Sequence, residues 1–164
     1  MKKPIMNIDE VIFEDVEENG LYTSSRGQIG AHIGAQKLGY NLTVLPPGKA
    51  QCPFHNHRGE EEMVLILDGT GELRFGAERH PLRAHDVVAF PTGGPEVAHQ
   101  IINTGDTPLR YLALSTRAEI DVCEYPDSQK VLVVADEDLR MVVRAEATVD
   151  YYDREDTKPR DGSG

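Results

Sequence analysis

Cysteine is scarce in this sequence of 164 residues, which contains only Cys52 and Cys123. Two cysteines are too few to staple a domain of this size, and a reducing compartment keeps them as thiols. A structural disulfide is therefore not expected. Cys52 lies just upstream of two histidines, but a free cysteine is more often a small buried apolar residue, so it is left out of the predicted site.

Long apolar runs are absent, and basic charge is in short supply. No segment approaches the roughly 20 apolar residues that cross a bilayer, and the first ten residues lack the apolar segment of a signal peptide. The 28 acidic residues outnumber the 17 basic ones, which gives a formal net charge of -11. This charge repels phosphate backbones and anionic membrane surfaces. We therefore expect a cytoplasmic protein with neither nucleic acid nor membrane as a partner.

The sequence does contain the regularly spaced short apolar runs that are typical of an all-β fold. An apolar content of 39% is enough to bury one core at this length, so we expect one domain with one site. Short apolar runs recur about every ten residues and are bounded by Gly, Pro, Asp or Asn, as in sandwiches and barrels. The predicted strands are Tyr40 to Leu45, Gln51 to His57, Glu62 to Leu67, Gly71 to Phe75, Asp86 to Phe90, His99 to Asn103, Leu109 to Ser115, Val122 to Glu124 and Lys130 to Val134.

The two ends of the chain differ from this central region. Residues 1–39 are interpreted as an N-terminal arm that packs on a barrel of residues 40–152. Residues 153–164 are polar, charged and without a period, which predicts a disordered tail. The segment DVCEYPDSQKVLV is interpreted as two strands joined by a turn, with no chemistry assigned to it.

The strand that begins at Glu62 bears on assembly. Side chains alternate along a strand, so Met63, Leu65 and Leu67 share the face opposite to Glu62. A strand that is apolar on both faces is covered on both sides. We predict a homodimer that buries this outer face, and cover by the protein's own arm is the alternative.

Four side chains carry the predicted chemistry. His55 and His57 are two residues apart, so on a strand both imidazoles point to one face. Glu62 opens the next strand after a connection short enough for an antiparallel pair, which would bring its carboxylate opposite the histidines. His99 comes from a distant strand, after a turn rich in Pro and Gly.

This ligand set of three imidazoles and one carboxylate suits Mn, Fe, Co, Ni or Zn better than Ca or Mg. We predict one divalent transition metal per chain, bound by His55, His57, Glu62 and His99. In a six-coordinate site, four protein ligands leave two positions open, as catalysis requires.

These residues resemble the two sequence motifs of the cupin superfamily of small β-barrels. The first motif is matched by Gly48, His55, His57, Glu62 and Gly69, and the second by Pro91, Gly93, His99 and Asn103. The spacing to Gly69 selects Glu62 as the ligand rather than Glu60 or Glu61. The resemblance implies an all-β double-stranded β-helix, or jelly-roll barrel, with an N-terminal arm.

Two positions depart from the second motif. His85 stands where the motif has its leading glycine, a turn position that matters little to metal binding. Residues 94–98 lengthen the gap between Gly93 and His99 by three residues. This insertion reshapes the mouth of the barrel beside the metal.

Other polar side chains are weaker candidates. Arg58, Arg74 and Lys49 could clamp a carboxylate or phosphate of a substrate, although surface charge is the simpler interpretation. Tyr40 and Tyr111 could line the pocket as hydrogen-bond donors or acid/base groups, although aromatic strand residues usually pack.

The resemblance leaves the function open among several classes. The first hypothesis is a metal-dependent enzyme of isomerase or epimerase type that acts on a small polar substrate, such as a sugar or sugar phosphate. The second is an Fe-dependent dioxygenase, which predicts a mostly apolar pocket. The third is a non-catalytic module that binds a metal and a small molecule.

Overall fold

The computed structural model describes residues 3–135 and 138–155. Its strands are β1 (Glu14–Glu18), β2 (Tyr22–Gln28), β3 (Leu38–Leu45), β4 (Asn56–His57), β5 (Glu62–Asp68), β6 (Thr70–Phe75), β7 (Glu78–Arg83), β8 (Val87–Phe90), β9 (His99–Ile102), β10 (Leu109–Thr116), β11 (Ile120–Tyr125), β12 (Lys130–Ala135) and β13 (Leu139–Arg144). Helix α1 is a single turn, Gly30–Ile33, and 3-10 turns lie at Ile8–Glu10, Pro95–Val97 and Ala145–Ala147. No helix in the described ranges is long and apolar enough to cross a membrane.

The strands form two walls of antiparallel pairs. One wall is a six-stranded sheet in the order β1-β2-β3-β10-β5-β8. The other combines the sheets β13-β12-β11-β4 and β7-β6-β9, which are joined by a bridge between His55 and His99. A core with members from both walls, including Ile66, Leu73 and Leu109, fills the space between them. This is the double-stranded β-helix, or jelly roll, that the motifs predict, so the fold class is confirmed.

The N-terminal residues extend the six-stranded sheet. Strands β1 and β2 pair with each other, and β2 pairs with β3. Val11 and Ile29 pack with Leu42 in a second apolar cluster, and Leu67 from the outer face of β5 joins it. The chain therefore covers part of that outer face itself, while the homodimer stays a prediction. Residues 156–164 of the predicted tail lie outside the described residues.

Several strand predictions are wrong in detail, and strand β13 was not predicted. Of the predicted strand from Gln51 to His57, only Asn56–His57 is extended in a ladder, because Pro53 lacks the N–H that a ladder needs. Strand β7 was missed because its sequence is polar and contains Pro81, which an edge strand tolerates. The predicted antiparallel pair of β4 and β5 does not form.

The partners of β4 and β5 lie in different walls. Strand β4 pairs with β11, whereas β5 lies between β10 and β8. The four residues after His57 thus cross from one wall of the barrel to the other. The histidines meet Glu62 across the barrel interior and not as neighbours within one sheet.

The backbone conformation of two turns accounts for the residues found at two positions of the cupin motifs. Gly69 joins β5 to β6 with a φ of 83°, a left-handed conformation that glycine adopts without strain. His85 also has a positive φ, 75°, at the position where the cupin motif has glycine. Histidine is one of the residues that enter this region more often than most, so the turn survives the substitution.

Replacing Gly69 with alanine is expected to destabilise the fold by about 1–3 kcal/mol. A Cβ atom there would lie 2.5 Å from the carbonyl oxygen of Pro108, in addition to the strain of the positive φ. Gly48→Ala is the matched control, because Gly48 has a φ of 74° but no atom within 4 Å of the added Cβ. Urea unfolding of both variants measures the difference, and equal losses would show that the contact with Pro108 costs nothing.

Candidate metal centre

Three imidazoles converge on one carboxylate oxygen inside the barrel. The Oε2 atom of Glu62 lies 3.0 Å from Nε2 of His99, 3.7 Å from Nε2 of His57 and 4.0 Å from Nε2 of His55. Two ligands of one transition metal, each bound at about 2.0–2.2 Å, are at most about 4.4 Å apart. All three separations from Glu62 fit that limit. Ligand atoms of His55, Glu62 and His99 also lie mutually within 4.8 Å. His57 lies within this 4.8 Å distance in other groups, one with His55 and Cys123 and one with Glu60 and Asp121.

The other ring nitrogen of each histidine is directed at an oxygen. Nδ1 of His55 lies 2.9 Å from the carbonyl of Pro53, and Nδ1 of His99 lies 3.3 Å from that of Val97. A carbonyl only accepts hydrogen bonds, so both Nδ1 atoms carry the proton. Nδ1 of His57 lies 2.6 Å from a carboxylate oxygen. The Nε2 atoms therefore face the centre, where a bound metal would replace the contact between His99 and Glu62.

The site is buried at the ends of three strands. His57 ends β4, Glu62 begins β5 and His99 begins β9. The ring of His99 stacks on Phe90 with 3.7 Å between ring centroids, which fixes its orientation. The side chains of His99 and Glu62 are 6% and 27% exposed, so the carboxylate keeps the larger access to solvent.

Charge and burial set the protonation of the metal-free site. Burial, together with the neighbouring His99, lowers the pKa of His55 and favours its neutral form. Burial alone would raise the pKa of Glu62, but the hydrogen bond with His99 and the charges of the histidines hold it below its usual value. Neutral His55 and ionised Glu62 are forms that bind a metal. His57 differs, because burial would lower its pKa but the hydrogen bond to Asp121 and the neighbouring carboxylates raise it above its usual value.

Asp121 is a site residue that the sequence interpretation missed. Its Oδ2 accepts the hydrogen bond from His57, and its Oδ1 accepts one of 2.8 Å from the backbone N–H of Gly59. Burial would raise the pKa of Asp121, but these hydrogen bonds lower it. The signal was an acidic residue in β11 on the same strand face as Cys123 and Tyr125. Contrary to the sequence interpretation, this segment does support the site.

The lengthened segment before His99 is tied to β4. Pro95–Val97 form a 3-10 turn, and the N–H of Gly93 donates to the carbonyl of His57. Buried Asn56 donates both to the carbonyl of Gly93, at 2.8 Å, and to the carboxylate of Glu124, at 2.7 Å. Gly93, where the inserted residues begin, is thus anchored beside the histidines.

Comparison with known proteins agrees with this architecture. The family model of the cupin domain, Cupin_2, matches residues 41–115. A proposed sugar phosphate isomerase from Acidithiobacillus ferrooxidans has a similar structure, with a TM-score of 0.82 and 27% identity over 90% of this chain and 96% of that one. The chain belongs to the cupin superfamily.

Two further relatives of this cupin differ in coverage. The structure of a cupin-superfamily sugar phosphate isomerase from Silicibacter pomeroyi matches 92% of this chain and 98% of that one, with a TM-score of 0.78 and 25% identity. An oxalate-binding protein from Thermotoga maritima is 39% identical over 70 residues, which are 43% of this chain and 54% of that protein. The chain spans about half the length of that curated relative.

A cavity of about 200 Å³ opens beside Glu62, His55 and His99. Its other walls combine amide and hydroxyl side chains with apolar ones, among them Asn41, Gln51, Gln100, Ser115, Met63 and Phe90. Tyr111 also lines it, and its hydroxyl donates to the side-chain oxygen of Gln51. Burial raises the pKa of Tyr111 well above its usual value, so the phenol stays protonated.

The remaining candidates lie elsewhere. Tyr40 packs beside the second apolar cluster and does not line the cavity. Arg58 pairs with Glu124, and Arg74 pairs with Asp127 while it covers the ring of Phe54. The ammonium group of Lys49 donates to the carbonyl of Gly20. None of these four side chains reaches the cavity walls, because each is already engaged by a partner elsewhere in the fold.

Both cysteines are free thiols near the histidines. Sγ of Cys52 lies 3.7 Å from Nδ1 of His55, and Cys52 lines the cavity, although the sequence interpretation left it out of the site. Burial raises the pKa of Cys52 to about 12 and that of Cys123 to about 11. At neutral pH both remain thiols and not thiolates, so neither is an activated nucleophile.

Proposed function

We propose that this cupin is a metal-dependent enzyme of isomerase or epimerase type that acts on a small polar substrate such as a sugar or sugar phosphate. One divalent transition metal would be held by His55, His57, Glu62 and His99. The observation that carries the proposal is the convergence of three Nε2 atoms on the Glu62 carboxylate at the wall of a small cavity. A bound metal would supply Lewis-acid polarisation of a carbonyl or hydroxyl oxygen.

Side chains of the cavity wall would bind and orient the substrate. The amide side chains of Asn41 and Gln51 face the cavity and can orient substrate hydroxyls by hydrogen bonding. Tyr111 remains protonated and its hydroxyl donates to Gln51, which excludes it as the base. Glu62 is the carboxylate among the lining residues, and in this proposal it is a ligand of the metal.

The similar proteins favour two different functions for this chain. The sugar phosphate isomerases match this chain over nearly their whole length, which favours the enzyme of isomerase type. The oxalate-binding protein shares more identity over a shorter stretch, which favours a second candidate, a metal-assisted binder of small carboxylates. Apolar groups make up the larger share of the cavity walls, which keeps the Fe-dependent dioxygenase as an alternative.

Metal analysis and an exchange assay test the proposal together. Untagged protein purified without chelator is compared with His57→Ala by mass spectrometry of metals, and we expect about one ion per chain only in the unmodified protein. The protein reconstituted with Mn, Fe, Co, Ni or Zn is then incubated with aldose and ketose phosphates in D2O. Metal-dependent deuterium incorporation beside the carbonyl, followed by NMR, is the expected result.

Other outcomes contradict the isomerase. Tight binding of oxalate without deuterium exchange would leave a binder. Oxygen consumption that requires Fe(II) would identify a dioxygenase. Equal metal content in the unmodified protein and His57→Ala would show that the metal is not bound at this site.

A further inference from the structure

A second opening lies on the other side of the segment from Gln51 to Cys52. It is a groove of about 640 Å³ between the hairpin of β1 and β2 and the hairpin of β12 and β13. Arg26 of β2, Lys130 of β12 and Arg140 of β13 line it, together with the hydroxyl-bearing side chains of Tyr22 and Ser128. Three cations thus share one groove in a chain whose net charge is -11.

These cations have no carboxylate partner. Within residues 3–135 and 138–155, Arg26, Lys130 and Arg140 form no ion pair, whereas Arg58 and Arg74 are each held by a carboxylate. Arg26 is half-buried and fixed in place, because Nη2 donates to the carbonyl of Gln51 at 2.7 Å and Nε donates to the hydroxyl of Ser24 at 2.9 Å. Those two bonds leave further N–H groups of its guanidinium for a ligand.

The acidic residues of the groove do not cancel this charge. Asp127 lines the groove, but both of its carboxylate oxygens accept hydrogen bonds from Arg74, at 2.6 and 2.9 Å. Glu18 is the other acid among the lining residues. Three cations without an ion pair in the described residues therefore face one unpaired carboxylate, which leaves the groove positive. Lys130 also lies 5.4 Å above the ring of Tyr125, a contact that does not neutralise its charge.

Gln51 lies in the wall between this groove and the cavity of the metal centre. Its backbone carbonyl accepts the hydrogen bond from Arg26, and its side chain accepts the one from Tyr111 inside the cavity. Gln51 and Cys52 line both openings. The cavity beside the histidines has no lysine or arginine among its lining residues, so a phosphate would find no cationic side chain there.

We infer that the groove is a phosphate subsite, in which Arg26, Lys130 and Arg140 bind the phosphomonoester end of an anionic substrate. Guanidinium groups match the tetrahedral oxyanion with paired N–H donors, and Lys130 adds a point charge. The inference rests on the proposed function in one respect, because a sugar phosphate is the substrate class that needs such a subsite. The binding of phosphate itself requires neither the metal nor catalysis.

Calorimetric titration with inorganic phosphate at low ionic strength tests the subsite. The titrated proteins are the unmodified chain, Arg26→Gln, Arg140→Gln and the metal-centre variant His99→Ala. Arg83→Gln is the matched control, because it removes the same charge from a side chain that is 85% exposed and does not line the groove. We expect each groove variant to weaken phosphate binding at least about tenfold, and His99→Ala and Arg83→Gln to leave it unchanged.

The outcomes separate this inference from the proposed function. Loss of phosphate binding in His99→Ala but not in the groove variants would place phosphate at the metal centre, overturning the subsite while the isomerase proposal survives. Equal weakening in Arg83→Gln would reduce the effect to net charge and also overturn it. No phosphate binding at millimolar concentration would do the same. Because Arg26 is half-buried, the exposed Arg140 provides the variant that leaves folding intact.

Discussion

Substitution of His99 with alanine is expected to lower the bound metal from about one ion per chain to almost none. The variant loses the imidazole whose Nε2 lies nearest the Glu62 carboxylate, at 3.0 Å. Two imidazoles and one carboxylate remain, but Glu62 loses the contact that holds its carboxylate between the histidines. The remaining affinity should therefore be too low to keep the ion through purification. Mass spectrometry of metals on protein purified without chelator measures the change.

His80→Ala is the matched control for this substitution. His80 lies on the edge strand β7, and its side chain is 48% exposed, so its loss should not change the metal content. Circular dichroism should show that His99→Ala keeps the β-barrel. Its thermal stability should fall somewhat, because the ring of Phe90 loses its stacking partner. Retention of stoichiometric metal in a folded His99→Ala protein would exclude this centre.

Asp121→Asn is expected to weaken metal binding by about 10–100-fold although Asp121 is not among the four proposed ligands. The aspartate accepts from both Nδ1 of His57 and the N–H of Gly59, one bond to each carboxylate oxygen. Asparagine has a single acceptor oxygen, so one of those two donors loses its partner. The His57 ring then loses the charge and the contact that orient its Nε2 atom.

Competition with a chelator of known affinity measures the effect, and Asp127→Asn is the control. Asp127 also pairs with a cation, but it is 56% exposed and far less buried than Asp121, so its loss should leave metal affinity unchanged. A metal affinity unchanged by Asp121→Asn would show that the His57 ring is held by other contacts.

The same substitution changes how the stability of the metal-free protein depends on pH. Because the folded state lowers the pKa of Asp121, the stabilisation exists above the unfolded-state pKa of about 3.9 and disappears as the pH falls through the folded-state value. The unmodified protein should therefore exceed Asp121→Asn in stability at neutral pH and lose that advantage in acid. Urea unfolding at a series of pH values follows the difference.

The candidate site shows which features of a metal centre can be predicted from local sequence patterns. The spacing of His55, His57 and Glu62 was visible in the sequence, and the structure places these side chains around one carboxylate oxygen together with His99. The predicted antiparallel pairing of β4 with β5 was wrong, because the two strands belong to different walls of the barrel. Metal binding by these residues remains a prediction.

The arginines show the opposite case. Arg58 and Arg74 stood out in the sequence because of their chemistry, yet each is paired with a carboxylate from the segment that follows β10. Arg26, which no motif marked, has no acidic partner in the described residues, and it lines the groove. A charge is free or paired according to its neighbours across the fold, which sequence spacing does not reveal.

The sequence alone determined that the chain is an all-β cupin with one set of candidate ligands, because strand period, turn residues and motif spacing are local properties of the chain. Only the tertiary structure decided that β4 pairs with β11, which brings Asp121 behind His57, and that Gln51 stands between the cavity and a positive groove. The physical reason is that pairing between distant strands depends on long-range packing and hydrogen bonding over the whole barrel, which no short window of residues contains.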